Sequence, residues 1–515
     1  MVAINVGMPA LPPRAPHNVG HLRGTRGFTA AAHEELKNTR MRENVGHATR
    51  SIRQKRAHVV AEKNDWEQLR LAGSHIKRDV MARLPELLER FEESVTNAGG
   101  HVHWARDAAE ANRIITDLVK ETGEEKVVKI KSMATQEIGL NEALADAGIT
   151  ARETDLAELI VQLADDMPSH ILVPAIHRNR EDIREIFLNG IPGVDPDLKA
   201  NPADLAEASR KFLREQFMEA KVAISGANFG VAETGTVAVV ESEGNGRMCL
   251  TLPETLISVM GIEKLLPTFQ DLEVFLQLLP RSSTGERMNP YTSLWTGTTD
   301  GDGPKNFHIV LLDNGRSATL ADPIGREALK CIRCSACLNI CPVYEHVGGH
   351  AYGSVYPGPI GAILSPQLTG MDSYDDPNAS LPYASSLCGA CFEVCPVRID
   401  IPAALLELRH RKVTEHRPPV EGKLFATLGF IMGNQKLWNM SAKMASLARV
   451  LGLKDGEIHA LPLFLSGWSD VRDTPVPPQK PFRSVWGSED LSAQLARESA
   501  HQVPTKINGQ SEKES

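Results

Sequence analysis

The chain has 515 residues, 42% of them hydrophobic, 23% charged and only 5% aromatic. That length accommodates two to four domains, and the composition excludes a disordered, collagenous or fibrous chain. Lys and Arg number 56 against 65 Asp and Glu, a formal net charge of -9, which argues against a general nucleic-acid binder.

No run reaches the ~18 apolar residues that a spanning helix needs. The start, MVAINVGMPALPPRAP, lacks a charged beginning followed by an apolar core. The expectation is therefore a cytoplasmic protein without a signal peptide. Residues 1–30, rich in Pro and Gly, read as a loose arm. Residues 31–80 read as a basic helical region with Arg53, Lys55 and Arg56; the first 80 residues hold 14 Lys and Arg against 7 Asp and Glu. Such a helix packs back on the acidic remainder of the chain, or docks an acidic partner.

Residues 81–315 read as one α/β domain. Leu84, Leu87, Leu88, Phe91 and Val95 share a helical face that ends at Gly99-Gly100. Strands are expected at 101–104, 126–130, 171–174, 221–224, 236–240 and 307–312, with amphipathic helices between several, for example around Ile183, Ile186 and Phe187. Alternating strands and helices predict a largely parallel, covered sheet. Residues 316–415 read as a small helical, two-cluster ferredoxin-type domain. Residues 416–515 form a tail. A helix is expected through Leu424, Leu428 and Ile431, with 424–450 a candidate for peripheral membrane contact. A stretch rich in Pro and Trp follows, and the composition of the last ~15 residues suggests disorder.

The chemistry is concentrated in cysteine. There are 8, and seven lie between Cys331 and Cys395. The first run, Cys331-x2-Cys334-x2-Cys337-x3-Cys341-Pro342, has ferredoxin spacing for a [4Fe-4S] cluster. Zinc needs paired Cys-x-x-Cys segments around one ion and fits this run poorly. The second run, Cys388-x2-Cys391-x3-Cys395-Pro396, matches the last three positions of the pattern, with Ser385 at the first. In two-cluster proteins the fourth Cys of a run ligates the other cluster. Crossed ligation then assigns Cys331, Cys334, Cys337 and Cys395 to cluster 1, and Cys341, Cys388 and Cys391 to cluster 2. Uncrossed ligation would exchange Cys341 and Cys395. Cluster 2 lacks one thiolate. It is a four-iron cluster with a non-Cys ligand such as Ser385, or a three-iron cluster. Cys249, in an apolar setting, reads as a buried bystander in a strand; the alternative is the missing fourth ligand. Between the runs, His346 and His350 are surface residues or metal ligands, on a glycine-bearing loop that can approach a cluster closely.

Other candidates lie in the α/β part. The loop from Gly226 to Gly235 follows a strand, where open α/β sheets bind ligands. Its glycines match neither a dinucleotide nor a nucleoside triphosphate motif; the loop holds a small carboxylate or no ligand at all, and Asn228, Glu233 and Thr234 are the pocket candidates. Asp155 and Glu158 read as a helix cap before Leu159 rather than a catalytic carboxylate pair. His170 and His177 read as structural, with catalytic base as the alternative; His170 and Glu233 are the catalytic candidates.

The chain resembles the iron–sulfur subunits of bacterial lactate utilisation, the lactate utilization protein B (LutB) family. The resemblance covers most of the chain. It is carried by the complete first run, the truncated second run 386–396, the linking segment 349–361 and the Trp- and Pro-rich tail. It is carried also by Lys131-Ser-Met-Ala-Thr135, Glu153-Thr-Asp-Leu156, Pro168-Ser-His170 and Ala232-Glu-Thr-Gly-Thr236, which resemble the lactate-utilisation (LUD) domain. It implies a sheet related to sugar-isomerase and CoA-transferase folds. It also implies two companions, a Cys-rich subunit and a second LUD subunit, that together oxidise L-lactate to pyruvate and deliver electrons to an acceptor or the quinone pool. This chain would be the electron-transfer subunit. Two readings compete: the chain is itself the 2-hydroxy-acid oxidoreductase, or it is a redox-sensing scaffold.

Overall fold

Ten strands run through the middle of the chain: β1 (His101–Ala105), β2 (Lys126–Lys129), β3 (Thr150–Glu153), β4 (Val222–Gly226), β5 (Phe229–Val231), β6 (Thr236–Glu241), β7 (Thr255–Gly261), β8 (Leu265–Leu266), β9 (Tyr291–Trp295) and β10 (Asn306–Leu312). They are seen in a computed structural model that describes residues 12–416, 419–446, 456–461, 466–469, 472–486 and 493. Six strands form one sheet in the order β1-β10-β7-β4-β2-β3. Every neighbouring pair in it is parallel. The other four form a smaller sheet, β8-β5-β6-β9.

Period-two alternation divides the large sheet between two cores. Val127, Val222, Ile224, Ile257, Val259, Val310 and Leu312 face the helices Ala108–Glu121 and Leu140–Asp146. Val128, Ala223, Leu256, Met260, Ile309 and Leu311 belong to the core on the opposite side. There the helix Leu84–Asn97 buries Leu84, Leu87, Leu88, Phe91 and Val95, the five positions its periodicity marks. Both faces are covered, as a parallel sheet requires.

Residues 1–416 form one compact unit and 417–515 a second. Within the first, the two cysteine runs sit on short helices, Ala336–Ile340 and Ala390–Val394, each ended by a Cys-Pro. The basic N-terminal helices fold back onto them. Arg50 and Arg53 pair with Glu345 at 3.1 and 3.2 Å, and Arg56 donates to the Val394 carbonyl at 3.0 Å. The segment read as a loose arm is tied down where it is described. Ala15 N donates to Leu368 O at 2.8 Å and His21 N to Glu137 O at 3.0 Å; Ala15 and Leu22 are buried. Its first 11 residues lie outside the described residues.

Three expectations are corrected. Residues 171–174 are not a strand. His170 Nδ1 accepts both Leu172 N and Val173 N, at 3.1 and 3.0 Å, so those amides are unavailable to a ladder, and Pro174 has none to give. The segment Arg247–Leu250 lies in the helix Asn245–Thr251. It is launched by left-handed Gly244 and by the Glu241 carboxylate, which accepts Gly244 N. The three-residue apolar run Met248–Leu250 does not distinguish helix from strand. The fully buried β7, at the centre of the sheet, was not expected at all.

In the second unit the helices Pro419–Gly433 and Gln435–Ala445 pack together, and Glu457–Ile458 pairs antiparallel with Thr474–Pro475. Among the described residues no helix is long and apolar enough to cross a membrane. Residues 447–450 of the candidate peripheral segment, and the C-terminal 15, lie outside the described residues.

Candidate functional site

The four cysteines Cys331, Cys334, Cys337 and Cys395 line one small cavity, together with Arg333, Ser335 and Ile360 among others. All four are buried and none is in a disulfide. Burial, with mutual repulsion added, pushes the Cys334 and Cys337 thiols well above their usual range. Such a set carries its thiolate charge only against a compensating cation, which is what iron supplies. The backbone is shaped to match. Arg333 and Ser335 in the first run have φ of 61° and 56°, and Leu387 and Arg398 beside the second have 56° and 54°. These four are among six non-glycine residues described with positive φ, and strain of this kind concentrates at functional sites. Amides are turned toward sulfur by it. Arg333 N donates to Cys331 Sγ, and Ile399 N to Cys395 Sγ, each at 3.3 Å.

The other three cysteines gather separately. Cys341, Cys388 and Cys391 feel one another's charge, Cys388 being exposed. Burial pushes the Cys391 thiol up to about 12. Ser385 precedes Cys388 and Cys391 at half-exposure, its Oγ accepting Leu387 N at 3.1 Å. Cys249 is fully buried in the α/β core and its Sγ lies 3.7 Å from Thr154 Oγ1. The groups that act on it are Thr154, Glu153 and Glu241, none of them a cysteine. The residues thus fit two iron–sulfur groups, one with four thiolates and one with three.

Cations surround the four-cysteine cavity. Arg70 Nε donates to Cys395 O at 3.0 Å, and the charge of Arg56 reaches Cys334 and Cys395. Behind Arg333 runs a buried ionic chain. Arg333 pairs with Glu263 at 3.2 Å, and Glu263 with Arg316 at 2.5 Å. Arg316 meets Glu137 in a bidentate pair at 2.8 Å, and Tyr356 OH donates to the same carboxylate at 2.6 Å. Buried pairs of this geometry are costly to break from one side.

Arg333 also lines a second, larger cavity of about 350 Å³. This lies at the carboxyl ends of the parallel strands: Ile130–Ser132 after β2, Gly226–Asn228 after β4 and Gly261–Lys264 after β7. From β2 the chain goes outward to β3, whereas from β4 it proceeds the other way to β7, so the crevice between β2 and β4 is a topological switch point. Gly226 is required there, since a Cβ would lie 2.4 Å from Ser132 Oγ.

Of the pocket candidates only Asn228 lines this cavity, its Oδ1 accepting Val240 N at 2.9 Å. Glu233 instead accepts Phe269 N at the start of the helix Phe269–Ser283, and Thr234 bonds Thr236. His170 is buried and held below its usual range, to about 3, by desolvation. With Nδ1 accepting two amides, its Nε2 donates to Asn339 Oδ1 at 3.1 Å, which ties the α/β part to the first cysteine run. His177 pairs with Asp166 at 2.8 Å. His346 and His350 bond the carbonyls of Pro342 and Met167. Asp155 caps the helix Leu156–Leu163, accepting Ala157 N and Glu158 N.

Sequence reasoning missed Lys131, Lys264, Arg316, Arg333 and Tyr356 as cavity residues. Lys131 directly follows a predicted strand and carried a usable signal. The others come from elements far apart in sequence.

Two family models match the chain, both within the first compact unit: the LUD domain over residues 88–312 and the 4Fe-4S dicluster domain over residues 327–399. Lactate utilization protein B of Bacillus licheniformis is 43% identical over 467 residues, 89% of this chain and 96% of that protein. Its counterpart in Bacillus subtilis is 41% identical, covering 92% and 99% respectively. The uncharacterized electron transport protein YkgF of Escherichia coli is 41% identical, covering 94% and 98%. With a LUD domain, a 4Fe-4S dicluster domain and relatives matched nearly end to end, the chain belongs to the lactate utilization protein B family.

Proposed function

We propose that this protein is the iron–sulfur electron-transfer subunit of a cytoplasmic lactate-oxidising complex. Cys331, Cys334, Cys337 and Cys395 hold a [4Fe-4S] cluster. Cys341, Cys388 and Cys391 hold a second cluster, with Ser385 or solvent at the fourth iron or a three-iron core. The observation that carries this reading is the gathering of seven cysteines into groups of four and three, each drawing on both runs. Bound there, the clusters supply one-electron transfer. The chain's own part is to exclude water, to donate amides to sulfur and to place Arg56 and Arg70 beside the four-cysteine group, which favours the more negative, reduced state. A Cys-rich subunit and a second LUD subunit are the companions, with an electron acceptor or the quinone pool beyond them. Contact with a membrane is at most peripheral.

Iron and sulfide content, with EPR on anaerobically purified protein, tests the assignment. Wild-type protein is expected to hold seven or eight irons. Cys334→Ser should lose the four-thiolate cluster and lactate-dependent growth, while Cys249→Ser should lose neither. Normal growth of the Cys334→Ser strain would refute the role.

A further inference from the structure

The 350 Å³ cavity has properties that the electron-transfer role does not use. Two lysines line it without a hydrogen-bonding partner. The Lys131 ammonium is buried with no hydrogen bond, its nearest carboxylate oxygen being that of Glu158 at 3.9 Å. The Lys264 ammonium makes no hydrogen bond or ion pair among the described residues, and burial and Arg333 pull it down to about 8. Thr284 Oγ1 and Asn289 Oδ1, also on the wall, are buried and unpartnered. Orphaned buried polar groups destabilise a protein unless something satisfies them. Apolar wall is supplied by Ile130, Ile171, Leu172, Val239 and Leu279. Four carboxylates also line the cavity, each with a partner of its own: Asp155 caps a helix, Glu241 accepts Gly244 N, Glu243 accepts Leu156 N, and Glu263 pairs with Arg316 and Arg333. The place is the switch-point crevice, where open α/β sheets bind ligands. The volume is in the range of small-molecule sites and exceeds that of a three-carbon acid several-fold. Arg333, one residue from Cys334, separates it from the four-cysteine group.

We propose that this cavity binds an organic anion, a carboxylate or a phosphate with an apolar body, whose charged group is held by Lys131 and Lys264 and which lies against Arg333. The inference rests on the cluster assignment above only for what stands on the far side of Arg333. The two ammoniums, neither of them hydrogen-bonded, supply the charge, the apolar residues accept the body, and Arg333 brings the first cysteine run to the wall. A substrate carboxylate and a cofactor phosphate are recognised by the same chemistry.

Isothermal titration of the full-length, iron-loaded protein with L-lactate, pyruvate and flavin mononucleotide separates these sources, with lactamide as the neutral control. Saturable binding of a carboxylate but not lactamide, or of flavin mononucleotide, is expected. Affinity should fall at least tenfold in Lys131→Met and in Lys264→Met. Leu172→Trp, which fills the cavity without changing charge, should do the same if a lysine variant fails to fold. The EPR spectrum of the reduced protein should change at saturating ligand. No binding by protein with full iron content, binding untouched by all three variants, or an unchanged spectrum would each overturn the proposal. Low iron content in the wild-type protein would instead count against the cluster assignment.

Discussion

Arg56 and Glu243 show how local charge gives single side chains measurable consequences. Arg56 lies among the cations beside Cys334 and Cys395. Arg56→Met removes positive charge next to a group that becomes more negative on reduction. The potential of the four-thiolate cluster is therefore expected to fall, as read by a redox titration followed by EPR. Glu243 is raised by burial and by Asp155 to about 7. A carboxyl raised above its unfolded value favours the folded state while protonated. That contribution is complete below about pH 4.5 and is lost as pH rises through about 7. Glu243→Gln keeps an acceptor for Leu156 N, now 3.0 Å away, without the charge. Because Glu243 still exposes much of its surface to solvent, screening leaves a gain of at most about 1 kcal/mol for the variant relative to wild type between pH 5 and pH 8, seen as a widening difference in Tm. A difference that narrows with pH would show that Glu243 is stabilised as the anion.

At the scale of elements, glycine lets helices meet near the clusters. Gly358 begins the helix Gly358–Thr369 with φ 72°, and a Cβ there would lie 2.6 Å from Leu338 Cγ, in the helix that carries Cys337. Gly358→Ala adds a clash to a strained backbone. It should destabilise by about 2 kcal/mol or more and reduce iron retention, measured by thermal denaturation and metal analysis. Close approach by this glycine-bearing segment was legible in its composition, as were the cysteine spacing, the helix at 84–95 and five of the ten strands. The misreadings have local causes. At 171–174 a histidine ring takes the amides that a ladder needs, and Cys249 sits in an apolar run too short to reveal its period. Asn228 was found because it directly follows a strand, whereas Arg316 and Arg333 reach the cavity only through tertiary packing.

For the molecule as a whole, the ionic chain from Arg333 through Glu263 and Arg316 to Glu137 joins the α/β part to the cysteine runs. Arg316→Met leaves two buried carboxylates short of a partner. A loss of about 3–5 kcal/mol is expected, with a matching drop in the denaturant midpoint. The tail behaves differently. Phe425, Phe430, Met432 and Met440 are exposed on its two helices, and residues 417–515 form a separate compact unit. A chain ending at residue 416 should keep its iron and its Tm while becoming less prone to self-association in size-exclusion chromatography. Loss of iron from that truncation would show that the tail completes a cluster site.

The grouping of cysteines also has a consequence in time. The four-cysteine group closes only with Cys395, and the three-cysteine group only with Cys388 and Cys391. A ribosome that has just released Cys341 has therefore presented neither set in full. On the cluster assignment proposed above, both must await the second run, so iron–sulfur delivery has one window late in synthesis, and a chain truncated before that window would leave with neither set complete.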